Sequence, residues 1–129
     1  MDFALVFVGG GIGSLCRYLV NLAVVKYLPI GVFPLGTFTV NMVGCVIIGM
    51  VAYLATERAI IPAHIKLLLT VGFLGGFTTF SSFGFETFDL IRNGHYGFAI
   101  GNAVTQVIMG TVGAWAGFSM GAQITRSWN

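Results

Sequence analysis

Gly75-Gly76-Phe77-Thr78-Thr79-Phe80-Ser81-Ser82-Phe83-Gly84-Phe85-Glu86 sits in the middle of an apolar stretch running from about Pro62 to Ile91. About 20 mainly apolar residues are enough to span a bilayer core, so this stretch is too long for one straight crossing. Its centre is also poor α-helix: paired glycines, then two β-branched threonines, then two serines. The spacing predicts a helix that breaks near 75–81. Non-helical backbone at membrane depth is tolerated only where protein or a water-lined cavity satisfies it. Freed carbonyls at such a break can ligate a cation. A Gly-rich packing kink with no ligand is the other reading, and both stand at this point.

Three further apolar segments flank this one, from about Phe3 to Tyr27, Leu35 to Ala55 and Tyr96 to Ile124. They stop at Leu28-Pro29, Thr56-Glu57-Arg58 and Thr125-Arg126, and the third stops at Arg92-Asn93-Gly94. The chain therefore reads as a single four-helix membrane domain over residues 1–129, with short connections. Composition agrees, with 57% apolar residues and 8% charged among 129. Soluble domains carry about 25% charged residues. A globule with so few charges could not cover its surface, which excludes a soluble enzyme, a disordered segment and a nucleic-acid binder. The run before the first span has no basic lead, so the span is expected to be a retained helix and not a cleaved signal. Cys16 and Cys45 lie inside apolar segments at no metal spacing and read as small buried hydrophobes. Gly9 to Gly13 is glycine-rich but follows no strand, so it is no nucleotide fingerprint.

Lys and Arg in short loops set membrane orientation. One face holds Arg58, Lys66 and Arg126, and the other holds Lys26 and Arg92. Three against two is almost no bias. An antiparallel dimer is open to such a chain, as is one fixed orientation. Small residues recur at helical spacing (Gly9/Gly13, Gly36/Gly44, Gly72/Gly76 and Gly110/Gly113/Gly117) and favour close helix contact. A four-helix subunit leaves little room for a central passage, so a pore would lie between helices and borrow from a partner.

Polar residues inside a membrane are costly and usually functional. Arg17 reads either as part of an anion vestibule or as a structural partner. Asn41, one turn after Thr37, offers two N–H donors to an anion or to a neighbouring helix. Phe80 and Phe83 share a helical face, with Phe77 further back on the row, and hydroxyls of Thr78, Thr79, Ser81 and Ser82 thread the stripe. The positive edges of aromatic rings can stabilise a small anion without trapping it. Asn102 and Gln106 are i, i+4, with Gly110 next, and form either a polar track facing the third helix or plain interhelical bonds. Glu86 is a deep carboxylate, and Asp89 is expected to pair with Arg92 at the surface. His64 and His95 read as interface residues.

Gly72-Phe73-Leu74-Gly75-Gly76-Phe77-Thr78-Thr79-Phe80-Ser81-Ser82-Phe83 resembles the third-helix signature of the Fluc (CrcB) fluoride channels. Gly36-Thr37 with Asn41 and Gly44 resembles that family's second-helix motif, and Gly9-Gly10 through Gly13 to Arg17-Tyr18 its first. The resemblance covers nearly the whole chain. It implies an all-α integral membrane protein in a bacterial inner membrane, assembled as an antiparallel, dual-topology homodimer with two fluoride pores between subunits. It implies pore residues Asn41, Phe80 and Phe83, with Thr37, Thr79, Ser81, Ser82 and Glu86 along the same region. It implies a structural sodium ion held by backbone carbonyls of Gly75 and Thr78. Familiar members carry a tyrosine and two serines where Asn102, Gln106 and Gly110 align, so the fourth helix departs from the pattern. The partners expected are fluoride, membrane lipid and a second copy, with no nucleic acid and no enzymatic activity. A small proton-coupled multidrug transporter with Glu86 as its carboxylate is the alternative.

Overall fold

The computed structural model of the chain describes residues 1–28 and 31–126. Four helical stretches are long and apolar enough to cross a membrane: Asp2–Tyr27, Leu35–Glu57, Ala63–Arg92 and Tyr96–Arg126. Among the described residues all regular structure is helical. The first span is α1 (Asp2–Tyr27); Pro29, part of its predicted stop, lies outside the described residues. The second span is α2 (Leu35–Ala52), which runs on into a π-helical turn, Tyr53–Glu57. The third begins with α3 (Ala63–Leu67), widens into a π-helical segment, Leu68–Leu74, and tightens again as α4 (Gly75–Phe77). After a break comes α5 (Phe80–Arg92), and α6 (Tyr96–Arg126) is the fourth span.

The break is confined to two residues. Thr78 has φ −86° and ψ 163°, and Thr79 has φ −154° and ψ 116°, both extended. Thr79 then caps the next helix, its Oγ1 accepting from the Ser82 amide at 3.2 Å. A β-branched hydroxyl residue competes poorly inside a helix but serves well at an N-cap. At the far end of α5, Gly94 adopts φ 79°. The His95 amide bonds the Leu90 carbonyl at 2.8 Å and the Gly94 amide bonds Ile91 at 3.0 Å, a Schellman stop that a side chain at Gly94 would strain. Asp89 and Arg92 pair at 2.6 Å on this end, as expected.

Lipid tails are as apolar as leucine, so packing between spans rests on close approach of small residues. α1 lies on the first half of the third span, and α2 lies along α6. A Cβ at Gly9 would stand 2.8 Å from the Leu68 carbonyl oxygen and 2.9 Å from the Phe73 nitrogen. One at Gly13 would overlap the Phe73 carbonyl, and one at Gly76 the Gly10 carbonyl. Between α2 and α6 the same close approach is made by Gly49 on Ala114 and Gly117 on Val46. The predicted Gly9/Gly13 and Gly72/Gly76 rows are thus one interface seen from both sides. Gly110 instead meets Cys45 and Met42 of α2, so the Asn102/Gln106/Gly110 row does not face the third span along its whole length. The exterior is largely apolar, with Phe3, Phe7, Val25 and Trp115 among the exposed side chains, as a lipid-facing surface requires.

A candidate anion site at the helix break

The extended backbone at Thr78 and Thr79 redirects the hydrogen bonds around it. In a continuous helix the Thr79 amide would bond the Gly75 carbonyl. It donates instead to Asn41 Oδ1 at 2.9 Å. Asn41 Nδ2 donates back to the Thr79 carbonyl at 3.2 Å and to Gln106 Oε1 at 2.8 Å. Asn41 therefore latches the break from α2, and both its N–H hydrogens are engaged within the chain.

A cavity of about 480 Å³ opens beside this latch, lined by Asn41, Gly75, Thr78, Thr79, Phe80, Phe83, Gln106 and their apolar neighbours. Its hydroxyls are committed. Thr78 donates to the Leu74 carbonyl at 2.9 Å, Thr70 to Lys66 at 2.8 Å, and Thr79 to Ser82 Oγ at 3.0 Å. Gln106 Nε2 makes one bond, at 3.3 Å, to Asn102 Oδ1. An amide nitrogen carries two hydrogens, so among the described residues Gln106 is the amide or hydroxyl lining this cavity that keeps a spare donor. The rings of Phe80 and Phe83 lie 5.5 Å apart, tilted by 54°. Phe80 is 83% exposed, right beside the break.

Phe77 does not belong to this stripe. The two extended residues swing it away from Phe80, and it is buried with its ring stacked on Phe73 at 5.6 Å. A second cavity, about 650 Å³, is lined by Asn21, Gly36, Thr37, Ser82 and Glu86. The Thr37 hydroxyl donates to Glu86 Oε1 at 2.6 Å, while Glu86 Oε2 is buried without a partner among the described residues. The predicted pore residues thus divide: Asn41, Thr79, Phe80 and Phe83 line one cavity, and Thr37, Ser82 and Glu86 the other. Ser81 is exposed, with its hydroxyl 3.4 Å from Thr79 Oγ1. Asn102 is fully buried and lines neither cavity; its Nδ2 donates to Thr87 Oγ1 at 2.9 Å.

The same break bears on a cation. With the Thr79 amide diverted, the Gly75 carbonyl lacks its helical donor, and Gly75 is exposed. The Thr78 carbonyl, three residues on, accepts from Arg17 Nη1 at 3.5 Å. Carbonyl oxygens are hard ligands that suit an alkali or alkaline-earth ion. The donor set therefore fits a sodium ion in kind, while two carbonyls from one chain make only part of a coordination shell.

A multi-pass helical membrane protein with its polar groups gathered at an intramembrane helix break is the class that this fold and site define. The sequence model described as "CrcB-like protein, Camphor Resistance (CrcB)" matches residues 4–118. The chain belongs to that family. It is 45% identical over 116 residues to a protein of Methylobacillus flagellatus named "Fluoride-specific ion channel FluC", covering 90% of this chain and 91% of the relative. A protein of Solibacter usitatus with the same name is 42% identical over 117 residues, covering 91% and 95%. One of a Hydrogenobaculum species, also so named, is 48% identical over 96 residues, covering 74% and 77%.

Proposed function

We propose that this chain is a fluoride-selective passive channel that exports cytoplasmic fluoride across a bacterial inner membrane. The observation that carries the reading is the match, over 90% of the chain, to a relative named as a fluoride-specific channel. The cavity at the break supports it. A small, strongly hydrated anion needs many weak donors in series, because one strong site would hold it. The ring edges of Phe80 and Phe83 and the spare N–H of Gln106 are donors of that kind. Asn41 serves this site by holding the break open, its own amide being satisfied. Thr37, Ser82 and Glu86 line the approach from the second cavity. Chloride, being larger, is excluded by narrowness.

The channel works as an antiparallel, dual-topology homodimer with two pores. The near-balanced charges, three against two, and the exposure of Gly75 and Phe80 beside the cavity support this assembly. Carbonyls of Gly75 and Thr78 from both copies would hold a structural sodium ion, which would supply a fixed positive charge tying the two breaks together. Hydrogen fluoride enters cells as a neutral molecule and dissociates at cytoplasmic pH. A negative-inside potential then drives the anion out with about 2.3 kcal/mol per 100 mV, so no coupled energy source is needed.

The test is passive efflux from liposomes holding the purified protein, followed with fluoride and then chloride electrodes. Fast fluoride release with chloride retained is expected. Chloride flux comparable to fluoride flux refutes selectivity. No fluoride release from folded protein refutes the channel.

A further inference from the structure

A line of hydrogen bonds leaves the Asn41 latch and returns to the helix it started from. Asn41 Nδ2 donates to Gln106 Oε1 at 2.8 Å, Gln106 Nε2 to Asn102 Oδ1 at 3.3 Å, and Asn102 Nδ2 to Thr87 Oγ1 at 2.9 Å. The Thr87 hydroxyl then donates to the Phe83 carbonyl at 2.8 Å. The starting point is Thr79, the N-cap of α5, and the end point is Phe83 and Thr87 of the same helix. The ring crosses from α5 to α2 to α6 and back.

Its direction is fixed by chemistry. The Thr79 backbone amide can only donate, so Asn41 must turn its oxygen toward Thr79 and its nitrogen toward Gln106. Each following amide is then oriented by the one before it. At the other end Thr87 Oγ1 accepts from Asn102 and turns its own hydrogen to the Phe83 carbonyl, which as a helical carbonyl of α5 also receives the Thr87 backbone amide. Reversing the chain would set the Thr79 N–H against the Asn41 amino group. The direction is set from the Thr79 end, and Thr87 and Asn102, which close the ring, line no part of the cavity at the break.

We propose that Thr87 and Asn102 are positioning residues of the channel: they hold the Gln106 amide in the orientation that Asn41 requires and tie the first turns of α5, which carry Phe80 and Phe83, to α6. The inference rests on the channel reading given above. It also explains why the spare hydrogen of Gln106 is the one left at the cavity. With Asn102 presenting its oxygen, one Gln106 N–H is taken and the other remains.

The test pairs a flux with a local signature. Thr87→Val keeps the shape of the side chain and removes the hydroxyl, and Thr87→Ser keeps the hydroxyl. In purified dimers, Thr87→Val is expected to slow fluoride efflux about tenfold, the size expected when a buried amide loses its partner, while Thr87→Ser stays within about twofold of the parent. The side-chain amide resonances of Asn41 and Gln106, read by NMR in membranes, shift in Thr87→Val and return in Thr87→Ser. A purely structural role for Thr87 would lower the yield of dimer and leave those resonances of the surviving dimers unchanged. Unchanged Asn41 resonances in Thr87→Val overturn the proposal, as does an unchanged efflux. Absence of fluoride flux in the parent protein would refute the channel itself, and the NMR shifts would still report whether the ring exists. If Thr87→Val yields no dimer, Thr87→Ala, which also removes the hydroxyl and adds no bulk, is read in its place. The same Asn41 and Gln106 shifts and slower efflux are expected, and their absence overturns the proposal.

Discussion

Gly11 and Gly13 lie two residues apart on α1, and their replacement by alanine should act with opposite sign. A Cβ at Gly11 meets nothing within 4 Å. Gly11→Ala therefore gains helix propensity alone, up to about 1 kcal/mol. A Cβ at Gly13 overlaps the Phe73 carbonyl oxygen and stands 2.9 Å from the Phe77 nitrogen and 3.0 Å from the Phe73 carbonyl carbon. All three are backbone atoms, so no side chain can turn aside, and α1 must move off the third span. Overpacking of a close contact costs about 1–3 kcal/mol, and an unyielding backbone puts this site at the upper end. Subtracting the propensity gain of about 1 kcal/mol leaves about 2 kcal/mol of net destabilisation. The assay is reversible denaturant unfolding of the protein in one detergent, comparing the parent with Gly11→Ala and Gly13→Ala. The midpoint is expected to rise or hold for Gly11→Ala and to fall clearly for Gly13→Ala. Equal stability of the two variants would refute the reasoning, because it would mean that α1 does not approach the third span through Gly13.

Three further outcomes are expected. Asn41→Leu leaves the buried Thr79 amide without its acceptor, at a cost of about 1–3 kcal/mol, and should lower both dimer stability and fluoride efflux; normal efflux from stable dimers would show that the break needs no latch. Gln106→Leu removes the spare donor at the cavity and should cut efflux at least about tenfold while four-helix content by circular dichroism stays unchanged; unaltered efflux would remove Gln106 from the pore. Replacing sodium by N-methylglucamine on both sides of the liposome should slow efflux or dissociate the dimer, read by electrode and by size-exclusion chromatography, and insensitivity to sodium would argue against an ion at Gly75 and Thr78.

The four spans and the break were legible because both rest on composition along short windows. Long apolar runs cannot be hidden, and Gly-Gly followed by Thr-Thr disfavours helix wherever it stands. Close helix contact through Gly9, Gly13, Gly72 and Gly76 was legible too, since they repeat at helical spacing, but spacing does not say that the two rows meet each other. The placement of side chains around the break was not. Periodicity counts Phe77, Phe80 and Phe83 as one stripe, but two extended residues reset the rotation and send Phe77 into the interior. Asn41 stayed open between an anion and a neighbouring helix because a sequence shows the hydrogens of an amide and not their acceptors. Its saturation by Thr79 and Gln106 depends on three helices meeting. The π-helical segments at Tyr53–Glu57 and Leu68–Leu74 have no local signature, since a wide turn is imposed by packing and not by propensity. Glu86 and Ser82 stand apart from the phenylalanine cavity because, four residues apart, they share a different face of α5 from Phe80 and Phe83.

The break at Thr78 and Thr79 also has an electrostatic consequence. Each end of a helix carries about half an elementary charge, negative at the C-terminus and positive at the N-terminus. The third span stops at Phe77 and restarts at Phe80, so it sets a negative end and a positive end side by side at membrane depth. The first-turn amides of Phe80 and Ser81 have no acceptor within their own helix. An oxygen-rich end and an amide-rich end are thus created by two residues without any titratable group. Polarity of this kind takes up and releases no proton, so it does not change with pH.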